Sequence, residues 1–257
     1  MKFENTRTYG FEAAIRGMRN PLNSWHLSDS EFGIENMCYF DDPRSRVAQA
    51  WMDSKPEQLA DPKMLDYYNT WLLDNGILYT QGDLAEYAFI GPKDMRLAQK
   101  LIAGGTEHRK FLRQIFVSVD ITAPIYWWKE ADTYKVSTTA NSTSTMHKLA
   151  ATPITLECFE VGDFSPEAST DFIIKQLIPY LEDLRLRYNE TKDPAYWKEL
   201  VRWLPQGWLQ TRTWTANYEV IRSMIHQREN HKLIEWRQDF ISWTHSLPYS
   251  KELLLTI

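Results

Sequence analysis

Residues 204–237 read LPQGWLQTRTWTANYEVIRSMIHQRENHKLIEWR, and the interpretation of the chain starts from this stretch. Apolar side chains recur at helical spacing over Thr215–His245, which predicts a long helix with a break near Glu229-Asn230. Asn217 and Arg228 lie eleven positions apart, so such a helix would place them on one face, about 16 Å apart. Polar ends and an apolar middle suit an elongated ligand, although an ordinary amphipathic helix with a salt-bridged arginine has the same pattern.

Composition places the chain among globular proteins. Of its 257 residues, 43% are hydrophobic and 25% are charged. The net charge of −5 argues against binding of long nucleic acid, which requires a basic surface, but is compatible with a mononucleotide. No apolar run approaches the roughly 18 residues of a transmembrane helix and no signal peptide is evident, so we expect a cytoplasmic protein without membrane contact. Cys38 and Cys158 form no metal-binding pattern and are predicted to be buried thiols without a metal.

Periodicity predicts several elements within one domain covering residues 1–257. Alternating apolar residues over Ile115–Ile121 predict a half-buried strand that Pro124 interrupts. A long amphipathic helix is predicted at Ser169–Asn189, where Pro179 either kinks the helix or occupies a position that needs no backbone donor. Further helices are predicted at Phe11–Arg19, Arg44–Met52, Pro62–Leu73, Pro92–Ile102 and Asp193–Trp203.

The stretch Thr133–Thr145 contains eight Ser or Thr residues and Asn141, and no large apolar residue follows Val136. Such a run cannot fill a core. Its hydroxyl and backbone N–H groups suit a phosphate or the edge of a flavin ring, whereas the alternative is a solvated linker.

The C-terminal motif resembles that of the flavin-dependent thymidylate synthases (ThyX). Leu204-Pro205, Thr211, Trp214-Thr215-Ala216-Asn217 and Arg228 match the family spacing without a gap, and His231 and Glu235-Trp236 follow. The resemblance implies that Asn217 contacts flavin and that Arg228 is catalytic and holds deoxyuridine monophosphate. Ser223 takes the place of a flavin-contacting Asn, and Glu219 takes the place of an Arg.

A second resemblance covers residues 93–149. Gly105–Phe111 is similar to the family's G-H-E-T-P-F region, and it implies a catalytic role for His108 and cofactor contact for Lys110. Ala123-Pro124-Ile125-Tyr126 matches the family's A-P-I-F and sets the register of the following signature, R-H-R, seven residues and Ser. Thr133-Tyr134-Lys135 stands at R-H-R, so the signature is altered.

The remaining site residues follow from this register. Thr143 stands at the signature Ser and is expected to be catalytic, while Thr145 replaces an Arg that grips the nucleotide phosphate. The resemblance implies cofactor contacts for Ser24, Thr133, Tyr134, Lys135 and Asn141, and substrate contacts for Glu130, Thr143, Ser144, Thr145, Arg202 and Arg228.

The resemblance implies an α+β fold with an antiparallel sheet flanked by long helices, an insertion at about residues 26–92, and a homotetramer. The implied activity is C5 methylation of dUMP to dTMP, with methylenetetrahydrofolate as carbon donor, reduced FAD as hydride donor and NADPH as reductant of FAD. Because Glu130 replaces a family Gln and Asn141 a family Glu, methylation or hydroxymethylation of dCMP is an alternative. A non-catalytic nucleotide-binding protein on the same fold is another.

Overall fold

A computed structural model describes residues 1–36, 84–144, 148–162 and 167–256. It contains helices and antiparallel sheet, which confirms the predicted α+β class. The predicted helices Arg44–Met52 and Pro62–Leu73, together with Cys38 and Thr145, lie outside the described residues. None of the helices in the described ranges combines the length and hydrophobicity needed to cross a bilayer.

Six strands form two sheets in the described residues. A four-stranded sheet has the order β1-β4-β6-β5, and a two-stranded antiparallel sheet pairs β2 with β3. The strands are β1 Lys2–Tyr9, β2 Glu31–Asn36, β3 Leu84–Phe89, β4 Phe116–Pro124, β5 Thr138–Ser142 and β6 Leu209–Asn217.

The helices include three that the sequence predicted at nearly the observed positions: Phe11–Arg19, Pro92–Ala103 and Pro194–Arg202. The α-helices of the described residues are α1 Phe11–Arg19, α2 Pro92–Ala103, α3 Ile125–Ala131, α4 Glu167–Phe172, α5 Ile178–Thr191, α6 Pro194–Arg202, α7 Tyr218–Arg228 and α8 Ile241–His245. Short 3-10 helices cover Asn20–Leu22, Trp25–Leu27, Arg109–Gln114 and Leu156–Cys158, and π-helical segments cover Ile173–Leu177, Glu235–Phe240 and Ser250–Leu254.

The chain divides into two compact units, which we call the first and the second unit. The first unit contains Met1–Thr6 and Ser118–Thr215, and the second contains Arg7–Val117 and Ala216–Ile257. The organisation of residues 1–257 as a single domain stays a prediction.

The clearest sequence pattern is confirmed by β4. Val117, Val119 and Ile121 are at most 1% exposed, whereas Phe116 on the opposite face is 43% exposed. Alternate residues of a strand point to opposite faces, so one face of β4 is buried in protein. The strand ends at Pro124 and α3 starts at the next residue.

The long helix predicted over Thr215–His245 is wrong at its start. Residues up to Asn217 belong to β6, and α7 covers only Tyr218–Arg228. The predicted break near Glu229-Asn230 is confirmed, because the helical geometry resumes only at Glu235. Within the stretch Thr133–Thr145, Thr138–Ser142 forms β5, and four of its five residues are exposed, in keeping with a run that cannot fill a core.

Pro179 explains why the predicted helix Ser169–Asn189 is irregular. A π-helical segment, Ile173–Leu177, separates α4 from α5, and Pro179 lies in the first turn of α5. Proline has no N–H group, and in the first turn of a helix that group has no intrahelical partner. Cys158 of the same unit is a free thiol, as predicted, but it is half-buried rather than buried.

Two buried carboxylates lock the start of α2 in the second unit. Asp29 accepts hydrogen bonds from the backbone N–H groups of Lys93 (2.8 Å) and Asp94 (3.0 Å), so it caps the helix from a distant segment. Asp94 is fully buried and forms an ion pair with Arg19 at 2.5 Å. Its second oxygen accepts from the hydroxyls of Ser28 (2.5 Å) and Ser30 (2.6 Å), which satisfies the buried charge.

In the first unit, α5 and α6 pack around a cluster of buried side chains. Glu182 of α5 pairs with Arg185 through both carboxylate oxygens and accepts a 2.9 Å hydrogen bond from the backbone of Ile154. The hydrogen bond from Arg185 lowers the pKa of Glu182 below its usual value of 4.5. The cluster consists of Leu149, Ile154, Phe159, Leu181, Leu184 and Leu200.

The lowered pKa of Glu182 predicts a pH-dependent contribution to stability. Because the folded protein holds the proton less tightly than the unfolded chain, this contribution is present above the unfolded pKa of about 4.5 and is lost as pH falls through the lower folded value. Glu182→Gln should therefore reduce the free energy of unfolding at pH 7 by about 1.5 kcal/mol. Denaturant unfolding at pH 7 and pH 3 should show this difference shrinking in acid, whereas the exposed neighbour Asp183→Asn should change little at either pH. An equal loss at both pH values would contradict the assignment.

Candidate functional site

Asn217 lies at the junction between β6 and α7 in the second unit. Its Oδ1 accepts a 2.9 Å hydrogen bond from the backbone N–H of Val220, which makes Asn217 the N-cap of α7. The side chain is buried, at 2% exposure. The cap leaves the amide NH₂ group as the part of Asn217 that can donate to a ligand.

Tyr218 anchors the first turn of α7. Its backbone N–H donates to the carbonyl of Ile115 (2.9 Å) and its hydroxyl donates to the carbonyl of Pro248 (2.6 Å). Burial raises the pKa of Tyr218, so the phenol stays neutral and structural. Its ring also packs edge-on against Phe11, with the centroids 5.8 Å apart. The contacts of Tyr218, together with the hydrogen bond from Val220, therefore hold Asn217 in place at the strand-to-helix junction.

Arg228 is the last residue of α7 and is held by an aromatic ring. Its guanidinium carbon lies 4.8 Å from the centroid of the Trp236 ring, and Trp236 is fully buried. Such a cation–π contact restricts the side chain and is worth about 0.5–2 kcal/mol. The ring of His231 approaches the same tryptophan edge-on, at 6.4 Å between centroids.

The prediction that Asn217 and Arg228 share one helix face is wrong. Asn217 has the extended backbone of a strand end, with φ −102° and ψ 165°, so it does not share a helix face with Arg228. The sequence spacing misled because the capping residue does not take helical geometry. Asn217 and Arg228 instead mark the two ends of α7.

The other predicted residues of the second unit lie near the surface. Ser223 is exposed and accepts a 2.9 Å hydrogen bond from Gln227. His108 and Lys110 are exposed on the segment that begins the 3-10 helix Arg109–Gln114. Ser24 is half-buried, and its carbonyl accepts from Arg19 at 3.2 Å.

In the first unit, Glu130 lies in the last turn of α3, and three further predicted residues, Thr133, Tyr134 and Lys135, form the turn that follows. The Thr133 hydroxyl donates to the carbonyl of Glu130 at 2.7 Å, and the Thr138 hydroxyl donates to that of Tyr134. Lys135 is exposed, as is Thr133. These contacts give the polar turn a defined backbone before β5 begins.

Thr143 is fastened to β6. Its backbone N–H (2.9 Å) and hydroxyl (3.2 Å) both donate to the carbonyl of Thr211, while its own carbonyl accepts from Gln210 at 3.0 Å. The Thr211 hydroxyl lies 2.7 Å from that of Thr122. The position after β5 is thus set by sheet pairing, with Asn141 exposed and Ser144 half-buried beside it.

Arg212 of β6 is a charged residue that the sequence analysis did not select. Its guanidinium carbon lies 4.3 Å from the ring centroid of Trp128, and it pairs with Asp132 at 2.8 Å. The sequence feature that would have selected Arg212 is its position directly after Thr211 of the C-terminal motif. Arg202, selected for a phosphate, is exposed and pairs with Glu199 at 2.5 Å.

Glu219 stands where the family has an arginine, and it forms an ion pair with Arg109 in the second unit. The Nε of Arg109 contacts both of its carboxylate oxygens, at 3.1 Å and 3.0 Å. Both side chains are largely buried, at 24% and 14% exposure. The pair brings a positive charge from the 3-10 helix to the first turn of α7.

Similar folds occur among solved structures, although no family model and no curated protein matches the sequence. A structure of thymidylate synthase X from Helicobacter pylori with FAD and dUMP aligns over 99% of this chain and 97% of its own, at 12% identity and TM-score 0.61. A second structure of the Helicobacter pylori enzyme, also complexed with FAD and dUMP, aligns over 99% and 98%, at 14% identity and TM-score 0.55. This chain has the ThyX fold.

The ThyX fold extends over nearly the whole chain. It therefore includes both segments in which the sequence resembles the family, residues 93–149 and 204–237. The site residues predicted from the resemblance divide between the two units. The first unit holds Glu130, Thr133, Tyr134, Lys135, Asn141, Thr143, Ser144 and Arg202, and the second holds Ser24, His108, Lys110, Asn217, Ser223 and Arg228.

Proposed function

We propose that this protein is a flavin-dependent enzyme that methylates dUMP at C5 to give dTMP. The observation that carries the proposal is the ThyX fold, found over 99% of the chain in structures solved with FAD and dUMP. Arg228 supports it, because Trp236 holds the guanidinium at the end of α7 and a planar, pre-oriented fork suits a phosphate.

The residues at the ThyX positions fit a flavin in their donor chemistry. Asn217 offers a buried amide NH₂ group, and Ser223, six residues further along in α7, offers an exposed hydroxyl. When bound, FAD would supply the hydride, methylenetetrahydrofolate the carbon, and NADPH the electrons that reduce FAD. The residues proposed to hold FAD are Ser24, Lys110, Thr133, Tyr134, Lys135, Asn141, Asn217 and Ser223.

The proposed substrate contacts centre on the phosphate. Arg228 provides a charged donor, and Thr143 and Ser144 provide neutral donors at the end of β5, where pairing with β6 orders the backbone. Thr145 and Arg202 complete the proposed substrate set. His108 is exposed and available for proton transfer, which is the role we propose for it beside the substrate.

The activity is tested with purified protein, FAD and dUMP. We expect flavin absorption bands in the protein after incubation with FAD, and dTMP formation when dUMP, methylenetetrahydrofolate and NADPH are supplied together. Omission of each component in turn provides the controls. A protein that stays colourless after incubation with FAD would refute the proposal.

A second candidate, modification of dCMP, rests on Glu130. A carboxylate accepts a hydrogen bond from the exocyclic amine of cytosine, whereas uracil presents an oxygen at that position. Glu130 is half-buried at the end of α3 and would favour cytosine if it faces the base. Side-by-side product analysis with dUMP and dCMP decides, and turnover of dUMP alone would reject this candidate. Nucleotide binding without flavin-dependent turnover of either nucleotide would indicate the non-catalytic alternative.

We propose a homotetramer in the cytoplasm for this enzyme, in line with its ThyX fold. Sedimentation equilibrium gives the mass of the assembly directly, and a monomer at micromolar concentration would contradict the proposal.

A further inference from the structure

A cavity of about 480 Å³ in the second unit is lined by two arginines, Arg109 and Arg222. Neither arginine has a role in the proposed activity. The cavity lies between the end of α2, the start of the 3-10 helix Arg109–Gln114 and the face of α7 that carries Arg222 and His226. Its lining residues are Ile102, Ala103, Gly105, Arg109, Arg222 and His226. The size is within the range that holds a small organic molecule.

Arg222 is the unusual member of this group. Its side chain is only 5% exposed, and Nη1 donates to the carbonyl of Leu254 at 2.7 Å. Its Nε is fully buried and has no hydrogen-bond partner among the described residues. Buried charges are normally paired with an opposite charge, and buried donors normally have an acceptor. One neutral carbonyl therefore offsets little of the desolvation cost of this guanidinium.

The electrostatic surroundings add to this imbalance. Burial, and then the nearby Arg109, lower the pKa of Arg222, while Glu219 only partly opposes them. Burial and Arg222 likewise lower the pKa of His226, against an opposing contribution from Glu229. Glu219 is already engaged by Arg109, so the cavity keeps one positive charge in excess when His226 is neutral.

We infer that this cavity binds the oxyanion group of a small molecule, with Arg222 and Arg109 as the charged donors. An oxyanion would give the guanidinium of Arg222 a charged acceptor in addition to the Leu254 carbonyl, and it would offset the repulsion between the two guanidinium groups. Ile102 and Ala103 form an apolar wall for the remainder of the ligand. None of these residues belongs to the proposed FAD or dUMP contacts, and the inference does not depend on the proposed function.

The test titrates inorganic phosphate into the full-length protein by calorimetry, at constant ionic strength maintained with NaCl. Wild-type protein should bind phosphate saturably. The Arg222→Met variant should bind it with a dissociation constant at least tenfold higher. Arg96→Met is the matched control, because Arg96 is exposed on α2 of the same unit and should leave binding unchanged. Equal phosphate binding by wild type and Arg222→Met, or none by wild type, would overturn the inference.

Two further variants keep the test decisive if Arg222→Met does not fold. Arg109→Met removes a donor from a partly exposed side chain and should weaken phosphate binding severalfold. Glu219→Gln removes the competing carboxylate and should tighten binding severalfold, a gain that misfolding cannot produce. Opposite signs for these two variants support the site, and changes of the same sign reject it.

A parallel titration with FAD identifies the source of the oxyanion. If Arg222→Met weakens FAD and phosphate binding alike, the cavity receives the diphosphate of the dinucleotide. If phosphate binding alone is lost, the cavity serves a separate anionic ligand.

Discussion

Arg228→Ala is expected to weaken dUMP binding by about 2–5 kcal/mol, the usual loss when one partner of a buried, hydrogen-bonded charge pair is removed. In the proposed complex, truncation leaves the nucleotide phosphate without its charged fork. Trp236 magnifies the effect, since its ring restrains the guanidinium at 4.8 Å before any ligand binds. Calorimetric titration of wild-type and variant protein with dUMP measures the difference.

Arg228→Lys separates charge from geometry at this position. Lysine keeps the positive charge but cannot form a bidentate contact, so we expect an intermediate loss of affinity. Arg96→Ala, on the exposed side of α2, should not change the affinity. A loss below about 0.5 kcal/mol for Arg228→Ala would mean that Arg228 is an ordinary surface residue.

Asp94→Ala should destabilise the protein by about 3–5 kcal/mol, because it leaves the buried guanidinium of Arg19 without its counter-charge. The same change removes the acceptor of the Ser28 and Ser30 hydroxyls and of the Asp29 backbone N–H. Four groups therefore lose a partner at once. Urea-induced unfolding followed by far-UV circular dichroism gives the change in the free energy of unfolding.

An exposed ion pair provides the comparison for Asp94. Asp171 pairs with Lys175 at 2.5 Å, but both side chains are more than half exposed. Asp171→Ala should cost less than about 1 kcal/mol, since solvent screens such pairs. Comparable losses for the two variants would show that burial does not determine the contribution of Asp94.

The sequence predicted elements whose signal is local. The alternation in β4 and the helical spacing of α1 and α2 follow from burial of one face, and the structure places all three as expected. β1 was missed because its residues are mostly exposed and its apolar alternation is weak. β6 was assigned to a helix at Thr215–Asn217, since the motif continues into α7 without a turn signal.

The candidate site was predictable as a motif but not as a set of contacts. Spacing selected Asn217 and Arg228, yet it could not show that Asn217 caps α7. The pairing of Arg109 with Glu219 joins residues 110 positions apart, a separation at which no local pattern operates. Arg222 was not selected because an arginine within an amphipathic helix normally faces solvent, whereas here it is 5% exposed.

The pairing of β2 with β3 has a consequence for engineering this chain. Asn36 is the register partner of Leu84, and the Cα atoms of such partners in an antiparallel pair lie about 5 Å apart, so the end of β2 and the start of β3 lie side by side. Asp29 and Asp94 fasten the far end of the same ribbon. A two-residue hairpin turn spans the distance between Asn36 and Leu84, so a chain in which such a turn joins these two residues should keep the pairing of β2 with β3.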